Sequence, residues 1–314
     1  MRIGVVTDAS CDLPAEFLRQ YDVDVLPVTI RLGDEQLIDA RDPELTLKFY
    51  AQQLAEKGLD AETQPCSAEQ IRDRFLESMV SRYDYVFCIT VTATRSTIFE
   101  NATKASFAIL GEYKATREAA GVSGSFALRV VDSKNMFCGT GVLVAEAAKL
   151  ARSGVAPNEV RKRIDDLREH ICAYMVPSDL YYIRNRGIKK GEKSVGFVAY
   201  ALGSALDIKP VILSFRGETQ PVAKIRSYER AVEKMFEHVA HQIEAGIDTR
   251  HVCISYGGDP AVIETLPGYA RLAAAAERTG VEVLSSFMSA TAAVNVGSGC
   301  VAVAYGGELR AFGQ

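Results

Sequence analysis

Tyr85 to Val91 is a nearly unbroken apolar run, YVFCITV, rich in β-branched and aromatic side chains. A run of this length and composition reads as a strand buried on both faces, which needs a covering layer on each side. From Ser96 onward the pattern changes, and Phe99, Ala102, Ala105, Ser106 and Ile109 fall near helical spacing. Between the two lies Thr92-Ala93-Thr94-Arg95-Ser96-Thr97, which carries four hydroxyls. A buried strand, a hydroxyl-rich turn and a helix start together form the lip of a pocket. Hydroxyls and free backbone N–H groups converge there, and the helix dipole favours an anion.

The rest of the first half repeats the strand–helix alternation. Strands are predicted at Arg2 to Thr7, Val23 to Arg31 and Ser125 to Val131. Helices are predicted from Asp12-Leu13-Pro14, over Asp42 to Lys57, over Ser67 to Ser81 and over Gly141 to Arg152. Ser67 with Gln70 has capping-box spacing, and Gln64-Pro65-Cys66-Ser67 before it reads as a turn. Strands separated by helices point to a mostly parallel sheet with helices on both faces. Ala156-Pro157 marks the boundary, giving an N-terminal α/β domain at 1–155 and a C-terminal one at 156–314. The second half is also α/β but mixed. Its strands are predicted at Ile171 to Val176, His251 to Ser255, Val281 to Ser285 and Gly299 to Tyr305. Lys209 to Phe215 and Gln220 to Arg226 form a hairpin, and Pro157 to His170, Leu180 to Arg186, Val195 to Leu206 and Ser227 to Gly246 are helical.

Composition excludes several functions. A net charge of -4 with no Lys/Arg block argues against nucleic acid as the main partner. No run of 18 apolar residues offers a membrane span, so membrane contact is at most transient. The start, MRIGVVTD, has no basic-then-apolar export signal, and the expected compartment is the cytoplasm. The seven cysteines are odd in number, widely spaced and free of CxxC pairs, which reads as reduced, small buried residues. His238 and His241 have helical spacing but no organised carboxylate or cysteine around them; they read as a solvated helix face, and no metal is expected.

Several strands end in small polar residues: Thr7-Asp8-Ala9-Ser10, Thr92 to Ser96, Asp132-Ser133 and Ser178-Asp179. In a parallel sheet such ends share one edge, where ligands bind. Each also suits the cap of the next helix, and capping and ligand contact are compatible. There is no GxxxxGK[ST], no GxGxxG after the first strand and no GxSxG; Gly297-Ser298-Gly299 is a lone Gly-x-Gly.

These segments, taken in order, resemble the DegV family, the bacterial fatty-acid-binding proteins. Thr7-Asp8-Ala9-Ser10-Cys11-Asp12-Leu13 stands for the family's Thr-Asp-Ser-x-x-Asp-Leu, and Glu62-Thr63-Gln64-Pro65-Cys66 for its Thr-Ser-Gln-Pro-Ser turn. Ser96-Thr97-Ile98-Phe99 falls on Ser-Gly-Thr-Tyr, and Leu206-Asp207-Ile208-Lys209-Pro210-Val211-Ile212 on Leu-x-Ile-Lys-Pro-Ile. Asn295-Val296-Gly297-Ser298-Gly299 takes the place of His-x-Gly-Pro-Gly. The resemblance implies a two-domain α/β protein that holds one long-chain fatty acid between its domains and needs no cofactor. It implies a carboxylate site at Thr63, Ser96 and Asn295, with Thr97, Arg184, Arg186 and Gly297 as neighbours. It further implies presentation of the acyl group to a separate fatty-acid kinase, the binding protein doing no chemistry itself. Asn295 replaces a histidine, so it donates a hydrogen bond without shuttling a proton. Thr97 replaces a glycine. The rival readings are a lipid or small-carboxylate sensor acting through a partner protein, and a phosphotransfer enzyme using the same cleft.

Overall fold

The computed structural model describes residues 1–52, 61–184 and 207–313. In chain order the strands are β1 (Ile3–Asp8), β2 (Val23–Leu26), β3 (Val28–Leu32), β4 (Glu35–Asp39), β5 (Ala61–Pro65), β6 (Tyr85–Thr90), β7 (Ala127–Asp132), β8 (Ile171–Val176), β9 (Ile208–Phe215), β10 (Glu218–Arg226), β11 (His251–Tyr256), β12 (Glu282–Phe287) and β13 (Val301–Gly306). The helices are α1 (Ala15–Gln20), α2 (Pro43–Ala51), α3 (Ala68–Arg74, continued by a π-helical turn at Phe75–Met79), α4 (Ile98–Ala108), α5 (Tyr113–Ala119), α6 (Cys138–Arg152), α7 (Pro157–Leu167), α8 (Tyr228–Ala245), α9 (Tyr269–Thr279) and α10 (Ala290–Val296). A short helical segment occupies 180–184.

The expected α/β architecture is present. β2, β1, β6 and β7 form a parallel sheet in that order. β6 is an inner strand, buried from Val86 to Thr90, as its apolar run demands. The later strands form a six-stranded mixed sheet in the order β10-β9-β8-β13-β11-β12. Only β11 and β12 pair in parallel within it, and β9 and β10 are the expected hairpin.

A third sheet, β4-β3-β5, was not expected and corrects two local readings. Val23 to Arg31 is not one strand. It breaks at Pro27, which has no N–H to give a ladder, so β2 stays in the parallel sheet while β3 departs into the new one. Glu62 to Pro65 is likewise strand rather than turn, antiparallel to β3, with Thr63 opposite Ile30. Proline ends this edge strand where no hydrogen bond is required of it. The predicted helix over Asp42 to Lys57 starts as expected, with Asp42 accepting from the Leu45 N–H at 2.9 Å, and its last residues lie outside the described residues. So does the helix predicted over Val195 to Leu206.

Helix α6 joins the two large sheets. It packs against β1 and β6 on one side and against β8, β11 and β13 on the other. A helix covered on both sides is apolar or small all round, and Cys138 to Ala145 are buried without a break. Gly141 permits the approach: a Cβ there would stand 2.7 Å from the Asp12 carbonyl oxygen. One apolar core consequently runs from Val5 in β1 to Ala304 in β13.

His238 is a further correction. It is 2% exposed, not on a solvated face. Its Nε2 lies 3.1 Å from the Tyr174 hydroxyl, its Nδ1 accepts from the Gly313 N–H at 3.3 Å, and the Phe312 ring packs tilted against it. Burial pushes its pKa down from 6.5 to about 4. A histidine whose folded pKa is depressed stabilises the fold above pH 6.5, and that contribution is lost as pH falls towards 4. His238→Gln is therefore expected to flatten the fall in Tm between pH 6.5 and 4; an acid limb as steep as wild type would place its origin elsewhere.

Among the described residues, no cluster of three or more His, Cys, Asp or Glu is placed to hold a metal, and no helix is long and apolar enough to cross a membrane. The seven cysteines are free, with six buried and Cys66 half-buried.

Candidate functional site

The C-terminal ends of β1 and β6 open onto a cavity of about 760 Å³. Three sheets supply its walls: Asp8 follows from β1, Thr63 from β5, and Met175 with Ile212 from the mixed sheet. Met136 and Phe137, in the loop leading into α6, complete an apolar wall with that last pair. These four apolar residues are only 7–9% exposed.

Ser96 stands half-buried at the start of α4. Its Oγ accepts from the Ile98 N–H at 3.3 Å, which leaves the hydroxyl proton to be donated elsewhere. The local bond to Ile98 therefore does not use up the hydroxyl. Thr97 beside it is exposed and also lines the cavity. Asn295 reaches the cavity from α10, donating one amide N–H to the Thr291 carbonyl at 2.6 Å. An amide carries a second N–H. Thr63, Ser96, Thr97 and Asn295 therefore meet at one cavity, although 232 positions separate the first from the last.

Of the other expected neighbours, Gly297 and Arg184 are not among the described lining residues. Gly297 caps α10 at φ 83°, and a Cβ there would meet the Tyr182 ring at 2.5 Å; its role is to let the chain turn beside that ring. Arg184 is exposed on the 180–184 segment and is absent from the described wall. Arg186 lies outside the described residues. Of the four polar strand ends, the first two line the cavity. Asp132 instead accepts from the Ala93 and Lys134 N–H groups, and Ser178 bonds the Ser298 carbonyl.

Sequence reasoning missed what holds α10 in place. Asp39, at the end of β4, accepts from both the N–H (2.8 Å) and the hydroxyl (2.7 Å) of Thr291. Asp12 accepts from the Ser289 N–H at 2.9 Å and pairs with Arg41 at 3.1 Å, both side chains being at most 1% exposed. Arg41 also donates to the Leu13 and Phe287 carbonyls and lies 4.3 Å above the Phe287 ring. Burial raises the Asp12 pKa to about 6 against the opposing pull of Arg41. The spacing Thr291–Asn295, one helical turn, was the available signal that both residues share a face.

Asp8 is buried at the cavity, where burial pushes its carboxyl above the usual carboxylate range. The Ser10 hydroxyl, the Val91 N–H (2.7 Å) and the Ser10 N–H (3.0 Å) oppose that rise.

Three sheets thus close on one cavity, polar at the sheet crest and apolar along Met136, Phe137, Met175 and Ile212, the mixed lining that small-molecule sites share. The sequence model described as uncharacterised protein, DegV family, matches residues 2–308, and the chain belongs to that family. It is 49% identical over 312 residues to a DegV domain-containing protein of Xanthomonas campestris, covering 99% of each chain. Among solved structures, a DegV lipid-binding protein from Thermotoga maritima shares the fold with a TM-score of 0.75 at 22% identity, over 98% of both chains. A stearic acid-binding protein from Eubacterium ventriosum does so with a TM-score of 0.75 at 19% identity, over 97% of this chain and 98% of its own.

Proposed function

We propose that this chain binds one long-chain fatty acid between its 1–155 and 156–314 units. Thr63, Ser96 and Asn295 bond the carboxylate, and the alkyl chain lies along Met136, Phe137, Met175 and Ile212. The observation that carries the reading is the convergence of all three polar residues on one cavity whose remaining wall is rich in apolar side chains. The start of α4 adds free N–H groups and the positive end of a helix dipole. The fatty-acid and lipid binding of the structural relatives supports the same ligand class. In this reading no cofactor takes part, and the protein acts in the cytoplasm with no more than transient membrane contact. It presents the acyl carboxylate to a separate fatty-acid kinase rather than reacting itself.

Mass spectrometry of organic extracts of the native protein tests the ligand. A stoichiometric long-chain acid is expected; no bound acyl chain and no uptake of added acids would overturn the reading. Affinity should rise by about fourfold for each added CH₂ until the cavity is filled, from about 0.8 kcal/mol per buried methylene. Ser96→Ala should weaken binding by about 10- to 100-fold through the lost charge-assisted bond. It should also cost the ligand-free fold about 1 kcal/mol through the lost bond to the Ile98 N–H. Unchanged affinity would leave Ser96 as a brace of the turn before α4 alone.

A second reading, a lipid sensor acting through another partner protein, is favoured by Asn295, whose amide cannot carry a proton. Pull-downs with and without lipid, using a fatty-acid kinase as the comparison partner, separate the two.

A further inference from the structure

The cavity that takes the fatty acid's carboxyl group in the reading above already holds one of the protein's own. Asp8 is 1% exposed and lines the cavity together with Thr63, Ser96 and Asn295. Its neighbours belong to the elements that carry those three residues. Its Oδ2 accepts from the Val91 N–H at 2.7 Å, at the base of the turn that leads to Ser96. Burial raises the Asp8 carboxyl, and Asp39, which anchors Thr291 one turn before Asn295, adds to that rise. Burial also raises the Cys66 thiol, just past the strand of Thr63, with the Asp8 charge as a lesser contribution. We propose that Asp8 is a fourth member of the carboxyl site, and that the fatty acid binds with one proton held between its own carboxyl group and that of Asp8. The inference rests on the fatty-acid reading above and adds to it a proton that the site takes from the medium.

The hydrogen bonds of Asp8 leave a place for that proton. Its Oδ1 accepts from the Ser10 N–H at 3.0 Å and from the Ser10 hydroxyl, whereas the donor described for Oδ2 is the Val91 N–H. A carboxyl oxygen has two lone pairs, so Oδ2 can carry a proton and still accept from Val91. Protonated Asp8 is then a neutral O–H donor beside Thr63, Ser96 and Asn295, and the ligand remains the charged acceptor. Two carboxylates within hydrogen-bond distance in a buried site repel each other strongly. One proton between them removes the repulsion, and the pair titrates as a unit. The step forms one O–H bond: the acid arrives as its anion, and water or buffer gives up the proton.

The groups around Asp8 are otherwise committed. Burial raises Cys11, Cys66 and Cys88, which stay as neutral thiols near pH 7. Asp39 accepts from Thr291 and from the Arg41 N–H. Glu62 and Glu100 add negative charge to the described wall, and Glu100 is paired with Lys104 at 2.7 Å. Arg95 brings positive charge to it, bonded to the Thr219 hydroxyl at 2.6 Å and engaged in a further interaction.

The test measures binding of a long-chain fatty acid, kept below its aggregation limit, and of the fatty alcohol of equal length. Titration calorimetry from pH 6 to 9, in buffers of different ionisation heat, counts the protons taken up. A free fatty acid is ionised throughout this range, its ordinary pKa lying near 4. Wild type should take up as much as one proton per bound acid. Its acid affinity should rise as pH falls, by up to about tenfold per pH unit, while the alcohol shows neither effect. Asp8→Asn keeps an acceptor in place but has no proton to titrate, so uptake and pH slope should both vanish. The ratio of wild-type to variant affinity for the acid should then change by about 10- to 100-fold between pH 7 and 9. A structural role alone would give the same loss at every pH and for both ligands. Acid binding without proton uptake, or a pH slope that survives in Asp8→Asn, overturns the proposal and leaves fatty-acid binding intact. If the variant does not fold, the wild-type proton count decides. Wild type that binds neither ligand at any pH would overturn the fatty-acid reading itself.

Discussion

Arg41→Met should lower the unfolding free energy by about 3–5 kcal/mol, the range for removing one partner of a buried ion pair. The side chain is 1% exposed and makes four contacts that methionine cannot: Asp12, the Leu13 and Phe287 carbonyls and the Ser286 hydroxyl. Its loss leaves Asp12 buried without an opposing charge, with the Ser289 N–H bonding one oxygen and the other already lacking a partner within hydrogen-bond distance. The double variant Arg41→Met/Asp12→Asn should recover part of the loss, because it removes the uncompensated charge while keeping an acceptor for Ser289. The pH dependence has a definite sign. Burial already lifts Asp12 to about 6 with Arg41 opposing it, so without Arg41 the carboxyl rises further. An acid with a raised folded pKa favours folding as pH falls. Arg41→Met should therefore regain stability relative to wild type between pH 8 and 5, measured by denaturant unfolding. A deficit that does not vary with pH would show that Asp12 is not the group left exposed to the change. The hydrogen bonds described for Arg41 go to none of the described lining residues, but Asp12 and Asp39 set the start of α10. Ligand affinity should fall in the same variant, through displacement of Asn295.

Met175→Asp should abolish measurable binding of long-chain acids, with a loss of about 1000-fold. Met175 lies on β8 opposite Ile212 of β9, and both face the cavity. In the empty cavity an aspartate there can stay hydrated and charged. A bound alkyl chain would expel that water and force the carboxyl to take a proton. At pH 7, protonating a group of ordinary pKa near 3.9 costs about 4 kcal/mol, which is about three decades of affinity. Met175→Leu conserves volume and polarity and should bind within a few-fold of wild type. Tm of each ligand-free variant separates a folding defect from a binding one. Retained binding in a folded Met175→Asp protein would move the alkyl chain to another wall.

Local chemistry explains which parts of this fold were legible. The Ser67–Gln70 capping box forms in both directions, at 2.8 and 3.2 Å, because its donors and acceptors lie within one turn of helix. The β9–β10 hairpin follows from a two-residue turn at Arg216-Gly217, whose residues both take positive φ. Thr63 was identified through the resemblance, yet its strand was hidden: Gln64-Pro65 carries a turn signal, and only pairing with β3 overrides it. His238 carried helical spacing that suited a surface; Tyr174 of β8 on one side and the tail at Phe312 and Gly313 cover it.

The sequence by itself determined the alternation of strands and helices, the double-sided burial of Val86 to Thr90, the family, and a hydroxyl-rich turn through Ser96 leading into α4. These properties depend on side-chain period, β-branching and caps, all of which act over a few residues. The tertiary structure alone decided that Pro27 divides two sheets, that α6 lies between two others, and that Arg41 reaches Ser286 across 245 positions to hold the helix bearing Asn295. It also placed Met175 and Ile212 on the wall that Ser96 crowns. Such contacts arise from buried polar groups seeking partners and apolar faces seeking cover, and many sequence separations satisfy either demand. No local pattern selects among them, so the partner is known only once the chain has closed.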